Sequence, residues 1–196
     1  MHHPIHLCVL VTALAAGCAA DLSDELEDVA PADGGAQIEH TVDGDLIDTK
    51  IDATDEARWV YLDLESRGQL EIDDPQASDA WDLAFRRYDI ALDGGVSGPG
   101  GMAAVVLEGQ QVDDVEAVAD GPWITDAADG DDHGDAPDYA LGDWYDYDFA
   151  THVLTPRVQA YVVRSVEGNA FALEVVDYYD DAGSSGWLQL RWKPLP

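Results

Sequence analysis

The sequence predicts an all-β protein, with a single antiparallel β-rich domain placed after an amino-terminal leader. Short segments of alternating apolar and polar residues recur along the chain, and glycine, proline, asparagine and aspartate separate them. No window shows a sustained helical period. Six tryptophans and eight tyrosines agree with this fold class, because aromatic side chains pack well on a pleated sheet. The hydrophobic fraction of 46% over 196 residues is enough to build one core.

The predicted strands are distributed over the last two thirds of the chain. The first has apolar residues on both sides of Tyr61, and the last two follow a turn at Gly168 and a glycine–serine segment. The spacing around Gly168 is typical of a β-hairpin with a tight turn. The strands lie at residues 59–64, 81–92, 160–164, 171–176 and 187–192.

The segment 81–92 is predicted as one half-buried strand. Trp81, Leu83 and Phe85 fall on one face, and Asp82 and Arg86 on the other. Residues 93–101, Asp-Gly-Gly-Val-Ser-Gly-Pro-Gly-Gly, then predict a loop, because glycine allows backbone angles that other residues avoid. The loop does not match a nucleophile elbow or a phosphate-binding loop: Pro99 takes the last glycine position of the former, and no Gly-Lys-Ser/Thr follows.

The amino terminus predicts export. Residues 1–17 are interpreted as a lipoprotein signal peptide, whose apolar stretch is shorter than the ~20 residues that span a bilayer. Residues 15–18, Ala-Ala-Gly-Cys, resemble the bacterial lipobox and predict lipidation of Cys18. The match departs at Ala15, where leucine is preferred, and in the histidines of the first residues. The lipid would anchor the protein to the cell envelope, with the outer membrane favoured.

The remaining boundaries follow from composition. Residues 18–36 predict an acidic flexible tether, and residues 37–196 the β domain. Since Cys8 would leave with the signal peptide, Cys18 has no partner for a disulfide.

The charge of the chain is strongly acidic. Nine Lys and Arg stand against 41 Asp and Glu, which gives a net charge of −32. Such a surface repels phosphate backbones and anionic headgroups, so nucleic acid is excluded as a partner. An acidic surface that keeps the protein soluble, or that suits a salty habitat, explains the charge, and cation binding is the alternative.

Residues 81–89, Trp-Asp-Leu-Ala-Phe-Arg-Arg-Tyr-Asp, and the glycine loop resemble the HmuY family of haem-binding bacterial lipoproteins. The carboxy-terminal strands and the lipobox-like leader agree with that family, and the resemblance covers most of the chain from about Trp59. It implies an HmuY-like β domain that captures haem or takes it from a haemoprotein at the cell surface, and that is not an enzyme. Arg86, Arg87, Asp82 and Asp89 are interpreted as structural, pairing with one another or capping the loop.

In the family, two histidines or a methionine ligate the haem iron. The resemblance implies ligands between the glycine loop and the last hairpin, where His133 and His152 lie, with Met102 as an alternative. For each histidine, His40 included, an exposed or structural role is the competing interpretation, and Met102 equally suits a core position.

The acidic loop also invites a calcium interpretation. Asp129, Asp131 and Asp132 offer carboxylate ligands in a segment that begins like an EF-hand loop, but His133 at the fifth position and Ala140 at the twelfth break the pattern. A solvated loop is the simpler interpretation.

Two functions of different classes therefore stand. The first is a surface lipoprotein that binds haem through histidine. The alternative is a non-catalytic acidic envelope lipoprotein of the same fold that has lost haem binding and binds calcium weakly. A hydrolase is less favoured, because no motif places a pair of carboxylates.

Overall fold

The computed structural model describes residues 35–129 and 136–196. This part of the chain is almost entirely β-structure, which confirms the predicted fold class, and its one helical turn is the 3₁₀ helix Val112–Asp114. The described residues contain no helix long and apolar enough to cross a membrane. The predicted signal peptide and Cys18 lie outside the described residues.

The strands are β1 Ile38–Asp43, β2 Leu46–Asp52, β3 Val60–Asp63, β4 Gly68–Leu70, β5 Leu83–Arg86, β6 Asp89–Leu92, β7 Ala103–Glu108, β8 Tyr145–Asp148, β9 Val153–Pro156, β10 Gln159–Arg164, β11 Ala170–Tyr179 and β12 Ser185–Pro194.

The larger sheet has six strands in the order β1-β2-β12-β11-β10-β7, and every neighbouring pair is antiparallel. The predicted hairpin is confirmed as β10–β11, and Gly168 in its turn has φ = 90°, an angle that glycine adopts without strain. Along β12, Leu188, Leu190 and Trp192 are buried while the residues between them are partly exposed. The period-two pattern of the sequence therefore describes this strand correctly.

The smaller sheet has four strands in the order β4-β3-β5-β6. Here the prediction of one strand over residues 81–92 is wrong, because the chain reverses at Arg87 and Tyr88 and pairs β5 with β6 as a tight hairpin. Arg87 takes φ = 53°, in the left-handed region. The assignment of Asp82 to a polar face is wrong as well, since that side chain is buried.

The main core lies between the two sheets. It joins Leu62 and Phe85 of the smaller sheet to Ile51, Leu173 and Trp192 of the larger one. Burying each side chain of this size contributes roughly 1.5–3 kcal/mol. A separate two-stranded hairpin, β8–β9, lies against this body: the Tyr179 hydroxyl accepts a hydrogen bond from the Leu154 amide at 2.9 Å.

Candidate functional site

The β8–β9 hairpin carries His152, the predicted haem ligand that the structure describes. His152 is exposed and closes the turn with φ = 59°, while its amide donates to the carbonyl of Asp148 at 2.8 Å. Its Nδ1 is hydrogen-bonded to the hydroxyl of Tyr147. Within the described part of the chain, Nε2 has no hydrogen-bond partner. In the tautomer that carries the proton on Nδ1, this nitrogen donates a hydrogen bond to the Tyr147 hydroxyl, and the lone pair of Nε2 is available to a metal ion.

Aromatic side chains surround this histidine. Phe149 is 83% exposed, and its ring lies 4.9 Å from that of Tyr147. Tyr88, 47% exposed, lies against Tyr145 at the base of the same hairpin. Exposed aromatic rings beside a free imidazole nitrogen make a surface suited to a flat, apolar, iron-containing ligand.

Met102, the alternative ligand, and His40, a histidine not predicted as a ligand, have surroundings that differ from those of His152. Met102 is 1% exposed and packs in the main core, in agreement with the core-filling interpretation. His40 uses both ring nitrogens, toward Thr49 Oγ1 at 2.8 Å and the Arg67 carbonyl at 2.9 Å. Burial lowers the pKa of His40, against the opposite effect of the Arg67 carbonyl. Neither residue is therefore free to reach a ligand at the surface.

The residues predicted for calcium fall largely outside the described structure. Asp129 is the last described residue before the gap, and His133, Asp131 and Asp132 lie within that gap. Calcium binding by Asp129, Asp131 and Asp132 therefore remains a prediction, and so does His133 as a haem ligand.

The arginines of the motif have structural partners. Arg86 pairs with Asp89 at 3.1 Å across the tight turn, and this confirms part of the structural interpretation. Arg87 instead donates to the carbonyl and hydroxyl of Ser185, which ties the β5–β6 turn to the start of β12. Gly186, which follows Ser185, has φ = 95°, and a Cβ there would lie 3.0 Å from Thr54 Cα, so this position favours glycine.

The glycine loop closes around Asp93. The carboxylate of Asp93 is fully buried, and its Oδ1 accepts a hydrogen bond from the Gly100 amide at 2.8 Å. A Cβ on Gly98 or Gly100 would overlap this carboxylate. Burial raises the pKa of Asp93 to about 6, the Gly100 amide opposes this, and Asp79 adds to it. The loop therefore holds an inward-facing carboxyl group, and its glycines make room for it.

An aromatic hollow lies on the face of the smaller sheet opposite the main core. Ala84 and Ala91 face each other across β5 and β6, and Tyr61 is the partner of Ala84 on β3. Trp59, Trp81 and Tyr139 complete its walls, and its volume is about 180 Å³. We call this site the aromatic hollow. The sequence did not predict it, because alanines that are opposite each other across a hairpin carry no signal until the hairpin is known.

A cluster of four carboxylates forms where three turns meet. Asp63, Glu65, Asp82 and Glu167 each place one oxygen within 4.8 Å of the others. Asp82 accepts hydrogen bonds from the amides of Leu64 at 2.8 Å and Val166 at 2.9 Å. We call this group the carboxylate cluster; its oxygens suit either a divalent cation or a shared proton.

Protonation in the carboxylate cluster is set by burial and hydrogen bonds. Burial raises the pKa of Asp82 to about 7, the two backbone amides oppose this, and the charge of Glu65 adds to it. Burial also acts to raise the pKa of Glu65, but hydrogen bonds from Ser165 and Asn169 outweigh it and lower that pKa. Glu65 Oε2 is buried and has no hydrogen-bond partner among the described residues. Sequence patterns do not predict this cluster, because its members come from positions up to about a hundred residues apart.

Solved structures with the same architecture come from species of Bacteroides and Tannerella. A candidate lipoprotein of Bacteroides fragilis is 19% identical, with a TM-score of 0.59 over 78% of this chain and 94% of its own. A candidate HmuY-like heme-binding protein of Bacteroides vulgatus is 20% identical, with a TM-score of 0.58 over 81% of this chain and 97% of its own. The apo HmuY analogue of Tannerella forsythia is 16% identical, with a TM-score of 0.62 over 84% of this chain and 100% of its own. At these identities the likeness shows the fold.

A family model adds the evidence of sequence. No curated protein matches the chain. The model described as "HmuY protein" matches residues 55–192, which include the Trp81 motif, the glycine loop and the carboxy-terminal hairpin. That match spans more than half of the 196 residues and agrees with the architecture of the solved structures. The chain belongs to the HmuY family.

Proposed function

We propose that this protein binds haem on the β8–β9 hairpin, as a binding protein and not an enzyme. The observation that carries the proposal is the hydrogen bond between Tyr147 and His152 Nδ1, which leaves Nε2 available on an exposed aromatic surface. Neutral imidazole is the usual axial donor to haem iron. Membership of the HmuY family supports the proposal, and one solved relative is described as a candidate heme-binding protein.

Tyr147 serves as the partner that orients the ligand. A metal-bound histidine usually donates its second ring N–H to a neighbouring oxygen, which fixes the tautomer and the plane of the ring. Tyr147 lies in the strand that leads into the turn, and β8–β9 pairing holds it opposite Leu154. His133 is the second axial ligand of the proposal, on the sequence-based expectation alone.

The haem propionates face an electrostatic cost on this chain. The net charge is −32, and Arg157, the basic residue beside the hairpin, already pairs with Asp146 at 2.8 Å. The same negative field favours the positive charge of ferric haem iron. We expect binding to rest on ligation and ring stacking, and to strengthen as salt screens the carboxylates.

Anchoring at Cys18 completes the proposal. A lipid-modified Cys18 would hold the β domain at the bacterial cell envelope, on the outer membrane, where haem from outside the cell is accessible. The related structure from Bacteroides fragilis is described as a candidate lipoprotein, which supports this assignment.

Hemin titration of residues 35–196 tests haem binding. We expect a Soret shift with saturation at one haem per chain, which His152→Ala weakens and which His133→Ala with His152→Ala abolishes. His40→Gln is the matched control, because it removes an imidazole whose two nitrogens are already bonded within the fold. A missing Soret shift, or one that the double substitution leaves intact, contradicts the proposal. Calcium-dependent melting without a Soret shift would favour the alternative, an envelope protein that has lost haem binding.

A further inference from the structure

The aromatic hollow exists because two small residues occupy matched positions in the β5–β6 hairpin. Ala84 and Ala91 are register partners, and both are nearly fully buried at the floor of the hollow with Tyr61 and Trp81. Larger residues at these two positions would fill the space. The volume of about 180 Å³ is comparable to apolar cavities of ~150 Å³ that hold a benzene molecule, so the hollow has room for one compact group and not for a haem.

Four aromatic rings line the hollow in near-perpendicular pairs, and Pro75, Gln76, Val96, Ser97 and Pro137 form the rest of its wall. The ring centroids of Trp59 and Tyr139 lie 6.0 Å apart with their planes at 68°. Those of Tyr61 and Trp81 lie 5.2 Å apart with their planes at 75°. Rings that meet at such angles form the corners of a cage. The faces of aromatic rings are electron-rich, and a cage of them is a known way to hold a quaternary ammonium group.

The charges around the hollow also favour a cation. Arg86 packs over the ring of Trp59 at 4.5 Å, and Asp89 pairs with it at 3.1 Å and offsets part of its charge. Burial chiefly raises the pKa of Tyr139 to about 12; the charges of Asp89 and Asp126 add to this effect and that of Arg86 opposes it. The chain as a whole carries −32, so an anionic ligand would meet repulsion on approach.

We infer that the aromatic hollow binds a small quaternary ammonium compound through its trimethylammonium group. This site is independent of the proposed haem surface, since none of its lining residues belongs to the β8–β9 hairpin. Its ligand has no proton to lose, so the positive charge persists at every pH. A neutral apolar molecule of the same shape is the competing occupant, and the two differ only in charge.

Calorimetric titration with choline chloride tests the inference, with ionic strength held constant by sodium chloride. Dimethylbutanol, the uncharged carbon isostere of choline, is the matched ligand control. We expect saturable binding of choline that exceeds binding of the isostere by about tenfold or more, the ratio that a cation–π preference of ordinary size produces. Equal affinity for the two compounds, or no binding of choline, overturns the inference.

Two substitutions locate the site. Ala91→Leu should fill the hollow and abolish choline binding, and its melting temperature shows whether the fold survives. Trp59→Leu, at a partly exposed position, removes one aromatic wall and should weaken choline binding about tenfold. This variant tests the site even if Ala91→Leu fails to fold. Phe149→Ser on the β8–β9 hairpin is the control and should leave choline binding unchanged. Choline binding that survives both substitutions in the hollow places the ligand elsewhere and overturns the assignment.

Discussion

The Glu65→Gln substitution should stabilise this protein at alkaline pH and have no such effect at acid pH. Glu65 Oε1 accepts hydrogen bonds from the Ser165 hydroxyl and from the Asn169 side chain, while its Oε2 is buried without a partner in the described residues. Asp82, buried beside it, can supply a proton, and Glu167, whose pKa burial also raises, is the second carboxyl group of the cluster that can do so. Below its raised pKa of about 7, a protonated Asp82 can donate to Oε2, and above that pKa two carboxylates face each other.

The size of the effect follows from the pKa of Asp82. A pKa raised from 3.8 to about 7 corresponds to about 4 kcal/mol of extra free energy for ionising Asp82 in the folded protein. Because the folded state binds this proton more tightly than the unfolded state, the free energy of unfolding falls as pH rises from about 4 to about 7, and levels off above. Burial accounts for most of this free energy. The part that comes from leaving Glu65 Oε2 without a donor is about 1–2 kcal/mol, the usual cost of a buried acceptor without a partner.

A glutamine at position 65 keeps the oxygen that Ser165 and Asn169 use and replaces Oε2 with an amide that donates to ionised Asp82. Urea unfolding at pH 5 and pH 8 should show the variant equal to wild type at the lower pH and about 1–2 kcal/mol more stable at the higher. Glu56→Gln removes the same charge from an exposed loop and is the control for net charge. An equal difference at both pH values would refute the shared proton. If calcium stabilises the wild-type protein and Glu65→Gln abolishes that stabilisation, the carboxylate cluster binds a divalent cation and the shared proton is refuted.

Three further substitutions test other parts of the molecule. Gly98→Ala should destabilise the fold by about 1–3 kcal/mol in urea unfolding, because the new methyl group would overlap the Asp93 carboxylate and lie 2.9 Å from Trp81 Cζ2; an unchanged midpoint would contradict the packing argument. Tyr147→Phe should weaken hemin binding about tenfold without changing the fold, since His152 loses the oxygen that orients it, and equal affinity in a Soret titration would show that Tyr147 has no such role. Cys18→Ala should move the full-length protein from the membrane fraction to the soluble fraction of the cell, and its retention on membranes would exclude lipidation at Cys18 as the anchor.

The period-two signal of the sequence is clearest in a strand with one buried face, whereas β10 and β11 are buried on both faces over most of their predicted length. In β12 the alternation of Trp187, Leu188, Gln189 and Leu190 is the direct consequence of one side facing the core and the other facing solvent. Strands covered on both faces lose that signal. In β5, Leu83 and Phe85 pack in the main core while Ala84 packs in the aromatic cluster, so all three are buried.

The turn between β5 and β6 could not be predicted from local composition. Its two residues are Arg87 and Tyr88, and neither is a typical turn residue. Arg87 adopts a left-handed backbone, its amide donates to the carbonyl of Ala53, and its guanidinium is held by Ser185, about a hundred residues away. The carboxylate cluster was missed for the same reason: Asp63, Glu65 and Glu167 meet only after the sheets have assembled. By contrast, His152 was singled out because histidines are rare in this chain, and the family resemblance supplied their function.

The buried aspartates give the Trp81 motif and its glycine loop a structural role. Asp82 accepts amides from the β3–β4 and β10–β11 turns, Asp93 accepts the amide of Gly100, and Asp126 accepts those of Leu92 and Ala140 at 3.0 and 2.8 Å. Each carboxylate provides an acceptor for loop amides that have no partner in a sheet. Burial of these carboxylates is unfavourable and raises the pKa of each. A side chain without an oxygen acceptor at these positions would leave the amides unpaired. The β8–β9 turn is held differently: Asp148, which is exposed, accepts the amides of Ala150 at 2.7 Å and Thr151 at 3.3 Å, so the carboxylate that supports the turn beside His152 stays in contact with solvent.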